Sequence, residues 1–304
     1  MDEEIKKIIK KDRPKLKDNT IEGYARRIRI IYQEYGDDKT LIEYFSDKET
    51  VIKNVEEKYK KNTTFSAVIM SVIVYLKAVK ASDKLIDYYA EKFIKVKNEI
   101  NELNICNKKS DKEKENWITQ AELKEKIDQL KSSLADEKNI FDIFQQYMVL
   151  NLYFLIMPLR NDYARVKVFS KFNSSCPGNQ IALDKKQLIL NEYKTFKFYG
   201  EKNIDLPDEL VDIISEWIVI REKIHPELKD RKELLFNLKL TPMNQVNLTM
   251  YLNKIFGKKI SSSMLRKSFL SEKFPVNETY QEMEQIAQSM CHSIKEQQTT
   301  YRKK

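Results

Sequence analysis

A ten-residue segment without one apolar side chain, 107–116, divides the sequence into two parts that can each form a hydrophobic core. The segment reads N-K-K-S-D-K-E-K-E-N, which is typical of a solvated connection. A chain of 304 residues is also longer than one core usually organises. The sequence therefore predicts two domains, 1–107 and 117–304, joined by a linker at 108–116.

The first part shows helical periodicity almost throughout. Apolar residues recur at steps of three and four, which places them on one face of a helix: Ile21, Tyr24, Ala25, Ile28, Ile31, Tyr32 and Tyr35. A second segment, 63–79, is apolar on nearly all sides and is expected at the centre of its bundle. A third helix is predicted at 83–107, so the N-terminal domain should be a helical bundle.

The second part mixes helices with short strands. Helical patterns cover 118–134, 140–157, 208–224, 243–256, 262–274 and 279–290, and strand patterns cover 166–170, 180–183, 187–193 and 202–206. Gly, Pro and Asn separate the strand segments, which favours a small antiparallel sheet. The predicted fold class is mainly α with a small antiparallel β-sheet.

Composition narrows the function classes. The chain has 55 Lys and Arg against 46 Asp and Glu, a net charge of +9 that suits nucleic acid, although many basic proteins bind no polyanion. The sequence shows neither a phosphate-binding loop nor an acidic cluster, so no metal or small-molecule cofactor is expected. The three cysteines are widely spaced, and the longest apolar stretch, 148–159, is too short to cross a bilayer. We expect an intracellular protein that does not enter a membrane.

Four residues have the chemical types needed to break a phosphodiester without metal. Such a reaction requires a nucleophile in line with the leaving oxygen, cations on the non-bridging oxygens and an acid for the leaving group. His292 lies nine residues before Tyr301 in H-S-I-K-E-Q-Q-T-T-Y. Arg266 lies in S-S-S-M-L-R-K-S, and Arg160 lies in P-L-R-N-D-Y. Taken singly, each could be an ordinary structural or surface residue.

The order and spacing of these residues resemble the tyrosine recombinase, or phage-type integrase, family over the C-terminal two-thirds of the chain. The resemblance implies a helical core-binding domain followed by an α+β catalytic domain. It implies that Tyr301 cleaves DNA to a 3′-phosphotyrosine, that Arg160 and Arg266 clamp the phosphate, and that His292 hydrogen-bonds the phosphate or assists proton transfer. The general acid of the family lies on the turn between the second and third strands, where Lys194 fits best and Lys197 is the alternative.

The sequence departs from the family pattern at several positions. Ser263 stands three residues before Arg266, where relatives have His or Lys, and serine cannot act as a comparable base or cation. Tyr163 stands where relatives have an acid, and the nearest acid is Asp162. Cys291 replaces a glycine. A type IB topoisomerase-like enzyme and a catalytically decayed DNA-binding protein therefore stay open as alternatives.

The resemblance also implies partners and location. Double-stranded DNA is the expected partner, cleaved and rejoined by a site-specific recombinase or integrase of a virus or mobile element, without metal or ATP. Because only Arg302, Lys303 and Lys304 follow Tyr301, we expect a monomer in free solution and a homotetramer on paired DNA sites. The expected location is with DNA, in the cytoplasm of a prokaryote or the nucleus or viral factory of a eukaryotic host.

Overall fold

The structure is a computed structural model that describes residues 1–105, 109–135, 139–273, 280–290 and 292–301. Its chain contacts divide into two compact units, Met1–Cys106 and Asn107–Lys304. Each unit contains its own cluster of buried apolar side chains. The ends of the predicted helices at residues 107, 274 and 279 lie outside the described residues.

The first unit is helical in its described residues. Its helices are α1 (Asp2–Asp12), α2 (Asp18–Tyr35), α3 (Leu41–Ser46), α4 (Lys48–Lys58), α5 (Asn62–Ala78) and α6 (Asp83–Ile105). On α2, Ile21, Ala25, Ile28 and Ile31 are buried, as their spacing predicts. The α5 helix is buried on nearly every side, which confirms its predicted central position. The residue after α2 is Gly36, where a side chain has no room because a Cβ would come within 2.5 Å of Tyr32.

The second unit is mostly helical with a small sheet. Its helices are α7 (Asp111–Asn116), α8 (Gln120–Ser133), α9 (Ile140–Phe154), α10 (Phe196–Tyr199), α11 (Asp208–Ile224), α12 (Gln245–Phe256), α13 (Ser262–Lys273) and α14 (Tyr280–Ser289). The strands are β1 (Lys167–Phe169), β2 (Gln180–Ala182), β3 (Gln187–Leu190) and β4 (Lys202–Asp205). The predicted fold class, mainly α with a small sheet, is confirmed.

The sheet is mixed rather than antiparallel throughout, which corrects one detail of the prediction. Its strand order is β1-β2-β3-β4, with antiparallel pairing from β2 to β4 and parallel pairing between β1 and β2. The connection 170–179 returns the chain to the beginning of β1, where Lys167 N donates to Asn179 O at 3.0 Å. Two hydrogen bonds between Asn173 and the Gln180 side chain hold this connection. The parallel pair follows from that return.

Part of the segment predicted as a linker is a docked helix. The α7 helix begins at a capping box formed by Ser110 and Glu113. Glu113 also forms a partly buried ion pair with Lys267 on α13. Asn116, at the end of α7, accepts a hydrogen bond from Lys259 N at 2.8 Å. The polar composition of this segment therefore serves specific pairing within the second unit.

The core of the second unit is built around α9 and α11. On α9, Gln145 is buried and pairs with both backbone polar groups of Phe236 at 3.0 and 2.8 Å. On α11, Trp217 is fully buried and donates to Leu234 O at 2.9 Å. These contacts fix the helix that leads into the turn of Arg160. In the described ranges, none of the helices is long and apolar enough to span a membrane.

Candidate active site

Three segments of the second unit that are distant in sequence meet around Tyr301. They are the turn after α9, which carries Arg160, the α13 helix, which carries Arg266, and the C-terminal segment from His292 to Tyr301. The C-terminal segment ends in a π-helical turn, Gln297–Tyr301. Such π-helical turns are rare in proteins overall, and those that occur are often found at functional sites.

The Arg160 turn is held on both sides. A short 3₁₀ helix, Asn161–Arg165, follows it directly. Asn161 donates its side-chain amide to Gln245 O and to Thr249 Oγ1 at 2.8 and 2.7 Å, both on α12. The turn is thus fixed to the helix before α13, which limits the positions that Arg160 can take.

Arg160 points toward Tyr301. Its Nη2 lies 3.4 Å from the Tyr301 hydroxyl, a long hydrogen bond. The arginine is partly exposed, so one end of the pair is reachable from solvent. A cation directed at this hydroxyl is suited to a phosphate oxygen placed beside it.

Arg266 is fully buried, with an exposed fraction of 0%. Its Nη1 donates to Pro158 O at 2.9 Å, and its Nη2 donates to Met290 O at 3.0 Å. The guanidinium therefore joins the Arg160 turn to the end of α14. This differs from the phosphate clamp expected from the sequence, because both terminal nitrogens contact backbone carbonyls and the group has no exposed surface.

The Tyr301 ring is enclosed by a cation, an imidazole and apolar side chains. The guanidinium carbon of Arg266 lies 4.6 Å from the ring centroid, and the His292 ring is stacked at 5.0 Å with an interplanar angle of 21°. The residue has an exposed fraction of only 5%. Its apolar neighbours are Phe269, Leu270, Ile286 and Met290, with Met157 packed against them. The ring covers one face of the Arg266 guanidinium.

His292 is buried and neutral at physiological pH. Burial, with the nearby charge of Arg266, lowers the pKa of His292 to about 4. Its Nδ1 lies 3.2 Å from Ser293 O, and since a carbonyl oxygen only accepts, Nδ1 carries the proton. The Nε2 atom then has a free lone pair, and it is buried without a hydrogen-bond partner among the residues that the structure describes. The imidazole is therefore a proton acceptor at Nε2.

Asp162 lies near both arginines. It is buried, and burial raises the pKa of its carboxyl, while the charges of Arg160 and Arg266 oppose that rise. Tyr163, at the position where the family has an acid, is buried and donates its hydroxyl to Leu152 O at 2.9 Å. The acid near the arginines is thus Asp162, one residue earlier than in the family pattern.

The remaining candidate residues face solvent. Lys194 lies in the connection between β3 and β4, and Lys197 lies on α10; both are exposed. Neither contacts Arg160 or Tyr301 in the part of the chain that the structure describes. Ser263 is exposed on the first turn of α13, whereas Arg266, one turn later, is buried. The structure thus brings together four of the predicted residues and leaves Lys194, Lys197 and Ser263 outside the cluster.

Gln297 is buried at the start of the turn that ends at Tyr301, although no sequence pattern predicts its burial. It has an exposed fraction of 3%, and within the described part of the chain its Oε1 is buried without a hydrogen-bond partner. Its backbone N donates to Ser293 O at 2.9 Å, so the residue lies one turn after Ser293. A glutamine in a polar tail has no neighbours in sequence that indicate burial, so the sequence offers no signal for it.

An open cavity of about 580 Å³ adjoins the cluster. It is lined by Met157, by Lys202 and Asn203 of β4, and by Gln288 and Ser289 of α14. Met157 therefore contacts both the cavity and the Tyr301 cluster. Within the described ranges, no group of three or more His, Cys, Asp or Glu is arranged to hold a metal ion.

The chain has a distant structural similarity to a solved structure. No protein-family model matches the sequence, and no curated protein matches it. A crystal structure of XerA recombinase is similar with a TM-score of 0.43 and 13% sequence identity, over 98% of this chain and 93% of that one. A similarity this distant does not assign an activity to the chain.

Proposed function

We propose that the chain cleaves and rejoins double-stranded DNA through Tyr301, as a site-specific recombinase or integrase of the tyrosine recombinase type. The observation that carries the proposal is the meeting of Arg160, Arg266, His292 and Tyr301 from three separate segments. A phenol beside two guanidinium groups and a proton-accepting imidazole has the components of metal-free phosphoryl transfer.

In the proposed reaction, the Tyr301 oxygen attacks the scissile phosphorus and gives its proton to Nε2 of His292. The bond between phosphorus and the 5′ oxygen breaks, leaving a 3′-phosphotyrosine, and Lys194 protonates the departing oxygen. Arg160 neutralises a non-bridging oxygen. A 5′ hydroxyl from a partner duplex then reverses the steps, so that the bond energy is conserved without ATP. Lys197 is the alternative acid.

The lone pair at Nε2 favours the base role of His292 over direct donation to phosphate. In the neutral ring only Nδ1 carries a proton, and that proton is used by Ser293 O. A pKa of about 4 keeps the ring neutral at physiological pH, which leaves Nε2 as an acceptor but a weak base. A bound phosphate anion beside the ring would raise this pKa toward the operating pH and strengthen the base.

Arg266 requires a rearrangement before it can contact phosphate. Its guanidinium is covered by the Tyr301 ring and has no exposed surface. Movement of the Tyr301 ring would uncover that face and place the hydroxyl toward an incoming phosphate at the same time. DNA binding would supply the free energy of this movement through the contacts of the phosphate with the two arginines.

One alternative has support from a specific observation. A DNA-binding protein without catalysis is favoured by the burial of Arg266 between two carbonyls and by the exposed Ser263 at the position of the family's His or Lys. A type IB topoisomerase-like enzyme would share the cluster and differ in acting on one duplex. The helical unit and assembly into a tetramer on paired sites belong to the same recombinase proposal, as does an intracellular location with DNA.

Covalent trapping on nicked duplex DNA tests the proposal. The wild-type protein should form an adduct that resists denaturation, and Tyr301→Phe should form none while binding DNA with nearly unchanged affinity. Tyr147→Phe is the matched control, because Tyr147 has the same exposed fraction of 5% as Tyr301 and lies on α9 outside the cluster, and its adduct yield should equal that of the wild type. Full adduct yield from Tyr301→Phe would place the nucleophile elsewhere.

Two further measurements separate the alternatives. Transfer of a labelled strand from one duplex to another distinguishes a recombinase from a topoisomerase-like enzyme. Strong binding with no adduct from the wild-type protein on nicked DNA would leave the non-catalytic DNA-binding protein.

A further inference from the structure

The connection between β3 and β4 presents an exposed aromatic side chain. Its single helical turn, α10, carries Phe198 with an exposed fraction of 83% and the partly exposed Phe196. Scattered exposed apolar residues are ordinary on protein surfaces. The exposure of Phe198 is therefore not by itself evidence that this side chain binds a partner.

The turn that carries Phe198 is held in one conformation. The Phe196 ring packs edge-on against Tyr193, with centroids 5.9 Å apart at 88°. Tyr193 is buried, and its hydroxyl donates to Gly200 O at 2.7 Å. Gly200 has φ +64° and donates its N–H to Phe196 O at 2.8 Å, which closes the turn. These contacts hold the backbone that carries Phe198, so the turn need not be ordered when a partner binds.

The charges around Phe198 favour a polyanion. Lys194 and Lys197 are exposed and make neither a hydrogen bond nor an ion pair in the part of the chain that the structure describes. Of the nearby acids, Glu192 is paired with Arg165 at 3.3 Å. Glu201 keeps its negative charge, since its hydrogen bond comes from the neutral amide of Asn203, and it is outnumbered by the two lysines. The free charges beside the aromatic ring are thus mainly positive.

The strand that leaves the turn, β4, connects it to the candidate active site. This strand lines the 580 Å³ cavity through Lys202 and Asn203. Met157 lines the same cavity and packs against the Tyr301 cluster. A duplex engaged at Tyr301 and extending along this cavity would reach the turn that carries Phe198.

We propose that Phe198 is a wedge that enters a base step of duplex DNA and unstacks it, with Lys197 on the adjacent phosphate. Apolar side chains inserted between base pairs unstack the step and kink the duplex, and aromatic rings stack on exposed bases. The inference rests on the proposed function, because it takes DNA as the substrate. It adds the element that opens the duplex where strands must separate to exchange.

Permanganate oxidation of thymines tests the wedge without knowledge of the target sequence, because unstacked thymines react faster. The full-length protein is mixed with 40-base-pair duplexes of mixed AT-rich sequence, and oxidised positions are read by sequencing. Wild type and Phe198→Trp should raise thymine oxidation at least ~5-fold over Phe198→Ala, and Phe198→Ala should bind ~10-fold more weakly. Lys197→Gln should reduce the salt slope of binding by about 0.9 and keep the oxidation at saturating protein.

Leu238→Ala is the matched control, because Leu238 is an apolar residue with an exposed fraction of 85% on a different loop. It should match the wild type in oxidation and affinity. Wild-type oxidation in Phe198→Ala complexes would overturn the wedge and leave DNA cleavage by Tyr301 intact. A change in molar mass of the DNA-free protein on Phe198→Ala, seen by light scattering, would make Phe198 a protein contact instead. Absence of DNA binding by the wild type would overturn both proposals.

Discussion

The guanidinium of Arg266 lies 4.6 Å from the ring centroid of Tyr301, so the proposed nucleophile covers one of the cations that it would work with. The hydroxyl of the same ring is 3.4 Å from Arg160 Nη2. Arg160 is partly exposed, whereas Arg266 is buried beneath the Tyr301 ring. On the proposed mechanism, the ring must therefore move before one phosphate can contact both guanidinium groups.

Removing the ring should open the site to a small anion. We expect Tyr301→Ala to bind inorganic phosphate at least ~10-fold more tightly than the wild type, since loss of the ring uncovers the buried Arg266 guanidinium near the partly exposed Arg160. Isothermal titration calorimetry at low ionic strength measures the difference. Tyr301→Phe is the control, because its ring still covers Arg266 and only the hydroxyl is lost. Equal phosphate affinity in wild type and Tyr301→Ala would mean that the ring does not close the site.

Arg266→Lys should damage both stability and cleavage. A lysine lacks the planar fork that reaches Pro158 O and Met290 O together, so one buried carbonyl loses its donor, at about 1–3 kcal/mol of unfolding free energy. If Arg266 contacts the scissile phosphate as proposed, cleavage of DNA should also fall at least ~10²-fold in protein that is still folded, because an ammonium group cannot reproduce the contacts of a planar guanidinium. Urea titration and single-turnover cleavage measure the two effects.

The chain offers a close control for this variant. Arg221 is also a buried arginine that donates to two backbone carbonyls, those of Glu233 and Arg231, at 2.6 and 2.7 Å. Arg221→Lys should lose a similar amount of stability and keep its rate of cleavage. If both variants lose cleavage in proportion to stability, Arg266 has a structural role alone.

The members of the cluster can be predicted from the sequence, because they are defined by residue type and spacing. Both properties point to Arg160, Arg266, His292 and Tyr301, and the structure places these four residues together. The orientation of the Arg266 guanidinium could not be predicted. It depends on two carbonyls from segments distant in sequence, and no local pattern encodes such a tertiary contact.

In the fold, too, features set by local sequence patterns can be predicted, and features set by tertiary contacts cannot. The helical period of α2 and α5 identifies their buried faces, since that period is a local property. The parallel pairing of β1 with β2 depends on how the connection 170–179 returns, which strand patterns do not specify. Likewise, the polar segment containing α7 has the composition of a linker, because its docking requires Lys259 and Lys267 from about 150 positions later.

His292 should make stability depend on pH in a defined window. Because burial lowers its pKa to about 4 from 6.5, the unfolded chain takes up a proton between these values while the folded chain does not. The free energy of unfolding should therefore be unaffected by this group above pH 6.5. It should fall by about 3 kcal/mol as the pH falls from 6.5 toward 4.

Urea titrations of wild type and His292→Gln at pH 7 and pH 4.5 check this. The wild type should lose more stability on acidification than the variant, which cannot take up the proton. His225→Gln is the control, because His225 is the other histidine and lies partly exposed beside Glu227. It should lose as much stability as the wild type. An equal loss in His292→Gln would show that the ring is not held neutral by the fold.

The ion pair between Glu113 and Lys267 should hold α7 on α13. Its contribution to the free energy of unfolding should be lost at lower pH than the contribution of His292. Burial acts to raise the pKa of Glu113, but the hydrogen bonds from Lys267 and Ser110 outweigh it and lower the pKa to about 2. The pair thus stabilises the fold above pH 4.5, and this contribution is lost as the pH falls toward 2.

Glu113→Gln isolates the charge, because glutamine at this position preserves the capping box with Ser110. At pH 7 we expect a loss of about 1–3 kcal/mol in unfolding free energy, as for a partly buried ion pair. The difference from wild type should vanish toward pH 2, and a difference independent of pH would contradict the pairing.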